Sequence, residues 1–305
     1  MASIINDFTR YYKHSSMLMR LILINVVVFV LVRVLDIGVW MVAGSGSSLM
    51  DWLALPSDLW MLLRRPWTLL TYMFAHAHLL HILFNMLWLY WMGRIFMEFF
   101  SSKHLTGLYL LGGWGGAALY LLAFNLLPRL ASGPGSVLVG SSAAVIAVVV
   151  ATAVYVPDYK IGLLFLGEVA IKWVAIITVA IALLGMDGGN MGGNVAHMGG
   201  ALVGAWFALS IKRGRDITRP INAFIDSLVG LFNGRKFSFP DAKKRDNTRK
   251  KHSGAAATER PAAHTPTDTV SEQELDAILD KIKAAGYDAL TDEERDKLFK
   301  VSRRR

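Results

Sequence analysis

Two adjacent serines, Ser141 and Ser142, stand at the start of an otherwise apolar stretch, VLVGSSAAVIAVVV at 137–150. Taken alone, small residues of this kind read as a contact surface between membrane helices. Elsewhere the chain carries His76, His78, His81 and Asn85 in HAHLLHILFNM, and Asn194 and His197 in NVAHMGG. A serine hydroxyl is a weak nucleophile until a base accepts its proton, and a neutral imidazole is the usual base. Serine, histidine and side-chain amides are thus the parts that acyl transfer needs: a nucleophile, a proton acceptor and donors aimed at a developing oxyanion. Histidine also binds metals. His78 and His81, three apart, are spaced to share one ion, although no carboxylate stands beside them.

These groups can meet only if the elements that carry them bring them to one place. The 305-residue chain is 54% hydrophobic, with a mean hydropathy of +0.41, and the excess lies before residue 213. An apolar run of about 20 residues crosses a bilayer core, and six such runs occur, at roughly 18–35, 78–99, 105–127, 138–156, 163–185 and 195–212. The expected fold class is an all-α membrane protein, a bundle of six transmembrane helices. Run one is bracketed by Arg20 and Arg33 and lacks an A-x-A-like site after it, so it reads as a retained helix and not a cleaved signal peptide. With no cysteine, a disulfide framework, a thiol nucleophile and a thiolate metal site are all excluded.

The net charge of +9 suits a membrane protein better than a nucleic-acid binder, because basic residues collect on the cytoplasmic side. Arg10, Lys13, Arg20, Arg94, Lys103, Lys160, Lys212, Arg213, Arg215 and Arg219 fall on one side of the six runs. That balance places both termini in the cytoplasm. Runs two, four and six then travel inward from the outer face, so His81, Asn85, Ser142 and His197 all lie at one depth near that face. Polar groups within a bilayer are costly and usually line a cavity with a function. Gly200, Gly204 and Ala208 follow His197 on one helical face, and Ala143, Ala147 and Ala151 recur beside Ser142. Two such seams allow close backbone approach, which would bring Ser142 level with His197.

GSSA at 140–143, AHMGGALVG at 196–204 and HAHLLHILFNM at 76–86 together resemble the motifs of the rhomboid family of intramembrane serine proteases, bacterial type. The resemblance covers residues of about 15–212. It implies Ser142 as nucleophile, His197 as general base, and His81, Asn85 and the backbone N–H of Ser142 as the oxyanion hole. It implies no metal and no cofactor, transmembrane proteins as substrates, and a multi-pass protein of the cytoplasmic (inner) membrane whose active site opens to the outer face. Glu98 matches a family glutamate in a structural hydrogen-bonding role. Three positions depart from the family pattern. Ala143 replaces a glycine, Ile146 replaces an aromatic residue that packs beneath the histidine, and Thr68 replaces the arginine of a Trp-Arg pair, leaving Arg64 or Arg65 to supply its hydrogen bonds.

Several alternatives stay open at this point. Ser141 is the rival nucleophile, about 100° around the helix from Ser142. A catalytically inactive client-binding protein of the same fold would be expected to lose the serine or the histidine, and this chain keeps both. A transporter would want charges at mid-membrane, where only Glu168 and Lys172 stand, near the start of run five. Those two either pair at i, i+4 or mark a span that starts later. The connection 36–77 carries Trp40, Trp52, Trp60 and Trp67, which suit the headgroup region. The glycine-rich 185–194 reads as a pliable cap over the site.

Beyond the expected protease core at 1–212, residues 213–270 read as a basic flexible linker. Ser271 and Glu274 form a capping-box start, with Leu275, Ile278, Leu279 and Ile282 at helical spacing. Thr291 and Glu294 open a second helix bearing Leu298. The expectation for 271–305 is therefore a short cytoplasmic helical hairpin that docks a protein partner or a second copy of itself.

Overall fold

The computed structural model describes residues 15–44, 48–127, 130, 136–163, 167–187 and 190–232, and single positions 274, 278, 280, 281, 291, 293 and 294. Helix α1, Met17–Ala43, opens where the Ser16 hydroxyl accepts the Met19 N–H. The next connection folds as α2 (Leu49–Leu53), β1 (Leu55–Pro56), α3 (Leu59–Arg64) and α4 (Thr68–Thr71). There follow α5 (Leu79–Phe99), α6 (Ser102–Leu126), β2 (Val137–Leu138) and α7 (Ser142–Tyr155). Strands β3 (Lys160–Leu163) and β4 (Gly167–Ala170) form a hairpin before α8 (Ile171–Leu184), and α9 (Met191–Lys212) and α10 (Arg219–Phe232) complete the order.

Among the described residues, α1, α5, α6 and α9 are long and apolar enough to cross a membrane. Helices α7 and α8 have 14 residues each, about 21 Å of helix against a hydrocarbon core of about 30 Å. Helix α7 is buried along nearly its whole length, from Ala143 to Ala153. It packs between α5, α6 and α9, so protein and not lipid surrounds it. The outer helices show the opposite character, with Val30, Leu35, Leu83, Ile177 and Leu202 all exposed.

Glycines bring the inner helices together backbone to backbone. A Cβ at Gly200 would lie 2.1 Å from the Ala143 carbonyl oxygen, and one at Gly204 would lie 2.3 Å from that of Ala147. The seams expected on runs four and six therefore face each other. A third surface joins them: a Cβ at Gly116 would meet the Ala143 Cβ at 2.6 Å, and one at Gly199 the Gly115 carbonyl at 2.3 Å. The GGWGG of α6 is a sequence signal that the Gly/Ala reading passed over.

The expected run 163–185 is corrected: its described residues before Ile171, Leu163 and Gly167–Ala170, are strand, and the helix starts only at Ile171. Gly167, the first residue of β4, has φ +72, where an L side chain would be strained. Of the two readings of Glu168 and Lys172, the later start of the helix holds and the i, i+4 pair does not. Glu168 meets Lys160 across the strands at 3.2 Å, while Lys172 bonds Asp158 at 2.5 Å. Run one extends to Ala43 and takes in Trp40. The expected cap is shorter than 185–194, because α9 begins at Met191. The expected linker opens with a helix, α10; its remainder lies outside the described residues.

Contacts divide the chain into two units, residues 1–239 and 240–305. In the second, Glu274, Ile278, Asp280 and Lys281 are helical and Ile278 is buried. Thr291 and Glu294 exchange capping bonds: the Thr291 N–H donates to the Glu294 carboxylate at 2.7 Å, and the Glu294 N–H to the Thr291 hydroxyl at 3.4 Å. Lys281 meets the same carboxylate at 2.9 Å. The other residues of the expected hairpin lie outside those described.

Candidate active site

The approach to Ser142 is shaped before α7 begins. Strand β2 pairs with β1, Leu138 opposite Leu55, which ties this segment to the first connection. Gly140 follows at φ +115, its N–H donating to the Tyr72 carbonyl at 2.9 Å. Only glycine fits there, for a second reason too. A Cβ would sit 2.7 Å from both Cε1 and Nε2 of His81, and 3.8 Å from the Ser142 hydroxyl. The bare backbone thus lets the His81 ring lie close to Ser142.

Ser142 is the first residue of α7, and His197 lies on α9 one turn before the Gly200 contact. Their side chains meet, with His197 Nε2 2.7 Å from Ser142 Oγ. The first N–H groups of a helix have no intrahelical acceptor and stand at its positive end, which favours an anion beside Ser142. The Asn85 amide donates one N–H to the His81 carbonyl at 3.0 Å, and its NH₂ group has a second.

Ser142, His197, His81 and Asn85 line one cavity of about 460 Å³ between α5, α7, α8 and α9. Asn190 and Asn194 add amides at its α9 end, while Phe84, Trp88, Val149 and Ile181 make apolar walls. All four residues singled out from the sequence are therefore brought together. Among the described residues no group of three or more His, Asp or Glu is placed to hold a metal ion. His78 is exposed, whereas His76 is fully buried.

Ser141 has its own histidine. His76 Nε2 lies 3.2 Å from Ser141 Oγ, and Nδ1 lies 3.3 Å from the Phe74 carbonyl. A carbonyl only accepts, so Nδ1 carries the proton and Nε2 receives the Ser141 hydroxyl. Burial, followed by the proximity of His81, lowers the His76 pKa to about 4. The ring also packs edge-on against His81, centroids 5.1 Å apart. The sequence named both residues without joining them, since nothing in their spacing of 65 residues links them.

The first connection is held without the missing arginine at Thr68. The Arg65 guanidinium donates to the Asp51 carbonyl at 2.9 Å and lies 4.2 Å over the Trp52 ring, which stacks on Trp67. Thr68 donates its hydroxyl to the Arg65 carbonyl at 2.7 Å. Arg33 of α1 reaches the Ala77 carbonyl, anchoring the turn that carries His76. Glu98 accepts the Tyr159 hydroxyl at 2.8 Å, a structural bond across the opposite end of the bundle.

Residues 63–214, from the end of α3 to just past α9, match the family model of the Rhomboid domain. Residues 269–304 match a family of unknown function, DUF6576. The chain is also similar to RHOMBOID-like protein 12, mitochondrial, of Arabidopsis thaliana, at 30% identity over 158 residues. That match covers 48% of this chain and 47% of the plant protein, so the chain spans about half the length of this curated relative.

Proposed function

We propose that this chain is an intramembrane serine endopeptidase that cleaves transmembrane-helix substrates with a Ser142–His197 dyad. The observation that carries the reading is the 2.7 Å contact between His197 Nε2 and Ser142 Oγ at the wall of a mostly apolar cavity. As Ser142 Oγ attacks the scissile carbonyl carbon, His197 takes the hydroxyl proton. The negative charge passes to the carbonyl oxygen, where His81, Asn85 and the Ser142 N–H are the donors we assign to it. Collapse of this intermediate breaks the C–N bond, and His197 returns the proton to the departing amine. Water, deprotonated by the same imidazole, then attacks the Ser142 ester; the bond from the acyl carbon to Oγ breaks, His197 returns the proton to Ser142 Oγ, and the acid is freed.

A helical backbone is already fully hydrogen-bonded, so the preferred substrates have helix-weakening residues near the cut. We assign six membrane-crossing segments, the four long helices with α7 and α8. Helix α7 can be short because irregular backbone at membrane depth is tolerated where protein surrounds it. The distribution of basic residues supports cytoplasmic termini and a site open to the outer face of a cytoplasmic membrane. Residues 1–212 are the proposed protease core, and 271–305 the proposed docking or self-association element.

The test is cleavage of a transmembrane substrate by the purified full chain, wild type beside Ser142→Ala, with fluorophosphonate labelling of both. Cleavage and labelling that vanish in the variant support the dyad. A wild type that binds the substrate, cuts none and takes no label is a client-binding protein, and the proposal fails.

A further inference from the structure

Helix α10 carries an apolar face whose outer part, Phe224, Leu228 and Val229, is exposed among the described residues, while Ile225 at its edge lines a cavity against the starts of α1 and α6. On a helical projection at about 100° per residue, Ile221, Phe224, Ile225, Leu228 and Val229 fall within one half of its circumference. Arg219, Asn222, Ala223, Asp226 and Ser227 fall in the other half. Phe224 is 62% exposed, Leu228 40% and Val229 51%, a costly arrangement if water met them.

The helix is pinned where the bundle ends. Asp226 pairs with Lys103 at 2.6 Å and Asp216 meets His104 at 3.3 Å, both partners lying in the first turn of α6. Burial works against the Asp216 charge, but the Thr218 hydroxyl and N–H and the neighbouring His104 hold its pKa below the ordinary value. Thr218 packs against Gly107, where an added Cβ would approach it to 2.5 Å, and Asn222 lies beside the same glycine. Gly107 is five residues into α6, about 7 Å along the helix axis from its start. Helix α10 therefore begins beside the second turn of a spanning helix, at the depth of its end, and not below it.

We propose that α10 is an interfacial helix, its Phe224–Leu228 face sunk into the headgroup and acyl-chain boundary of the bilayer. Three features commit it to lipid. Its depth matches the end of α6. Leu209, near the end of α9 from which the chain runs into α10, is likewise an exposed apolar residue on a spanning helix. Arg213, Arg215 and Arg219 flank its start, which suits an anionic headgroup layer. The proposal is independent of catalysis, since it needs only that α6 and α9 cross the membrane.

The native chain has no cysteine, so nitroxide labels can be placed singly in the full-length protein, reconstituted in vesicles containing anionic lipid. Phe224→Cys and Leu228→Cys report the apolar face, Ala223→Cys and Ser227→Cys the polar one. Two positions per face keep the test alive if one label unseats the helix. Collisions with oxygen, relative to a water-soluble nickel chelate, should be several-fold more frequent at 224 and 228 than at 223 and 227. Equal access of the chelate to both faces overturns the proposal, because the face is then in water. Shielding of 224 and 228 from both reagents also overturns it, because protein then covers them.

Discussion

Ser141 and Ser142 are neighbours in sequence, and each holds a histidine, yet the two pairs occupy different worlds. His76 is the better-oriented ring, its Nδ1–H fixed by the Phe74 carbonyl and its Nε2 accepting from Ser141. That pair is sealed: Ser141 is 1% exposed, His76 0%, and neither lines the cavity. The Ser142–His197 pair is closer, at 2.7 Å, and opens onto about 460 Å³ of space. The right residue types at the right distance are thus insufficient for a nucleophile. The attacking oxygen also needs room for a carbonyl carbon and a route for water. The inner pair has neither, and its contact fixes the backbone from which the outer pair projects.

The comparison breaks most sharply by exchanging the roles of the two serines. Ser142→Ala should lower cleavage of a transmembrane substrate by a factor on the order of 10⁴ or more, while Ser141→Ala stays within a few-fold of wild type. An active Ser142→Ala protein would transfer the chemistry to the inner pair. Next in size is the oxyanion donor. Asn85→Ala should cost roughly 10²–10³ in kcat, with a much smaller change in KM. A variant whose KM rises while kcat is unchanged would make Asn85 a substrate-binding group and no part of the oxyanion hole.

The outer pair was legible in the sequence because membrane crossing quantises position. Six runs alternating in direction, as proposed, would put Ser142 and His197 at one depth, and the Gly200 and Ala143 seams set how near they come. The inner pair was not legible, because His76 lies in the turn before α5, where no helical period predicts direction. Its partner follows from β1–β2 pairing and the Gly140 bond to Tyr72, long-range contacts that leave no mark in local composition. The β3–β4 hairpin was misread for a related cause. The expected run begins at 163 and takes in GEVA, which is apolar enough to extend a helix, and hydropathy alone cannot distinguish a short strand from the first turn of a helix.

A smaller effect tests whether the seam places the outer pair. Gly200→Ala puts a methyl 2.1 Å from the Ala143 carbonyl oxygen, so α7 and α9 must part. Overpacking of this kind costs about 1–3 kcal/mol, and Ser142 and His197 separate with it. Thermal midpoint and cleavage should both fall. Gly38 of α1 has nothing within 4 Å of an added Cβ, so Gly38→Ala should be neutral or slightly stabilising, by at most about 1 kcal/mol. Equal behaviour of the two variants would show that the helices adjust freely and that the glycines do not set the geometry.

The smallest expected effect isolates the inner pair through pH. His76 lies outside the spanning helices, and burial, reinforced by His81, holds its pKa near 4 against an ordinary 6.5. Its ring is therefore neutral in the folded protein throughout that interval, while in the unfolded chain it takes up a proton as pH falls below 6.5. The unfolded state binds more protons there, so stability declines as the solution is acidified. The contribution is complete above about pH 6.5 and is lost as pH falls through 4. His76→Gln keeps an amide to accept from Ser141 but cannot titrate. It should melt somewhat below wild type at neutral pH, through imperfect replacement of the Phe74 and Ser141 contacts, and lose less stability on acidification. Melting both proteins in detergent across the interval measures the difference in slope, and His81 and His197 remain to titrate in each. Parallel curves would mean that the His76 pocket admits a proton without cost, and that the inner pair is not the sealed counterpart of the outer one.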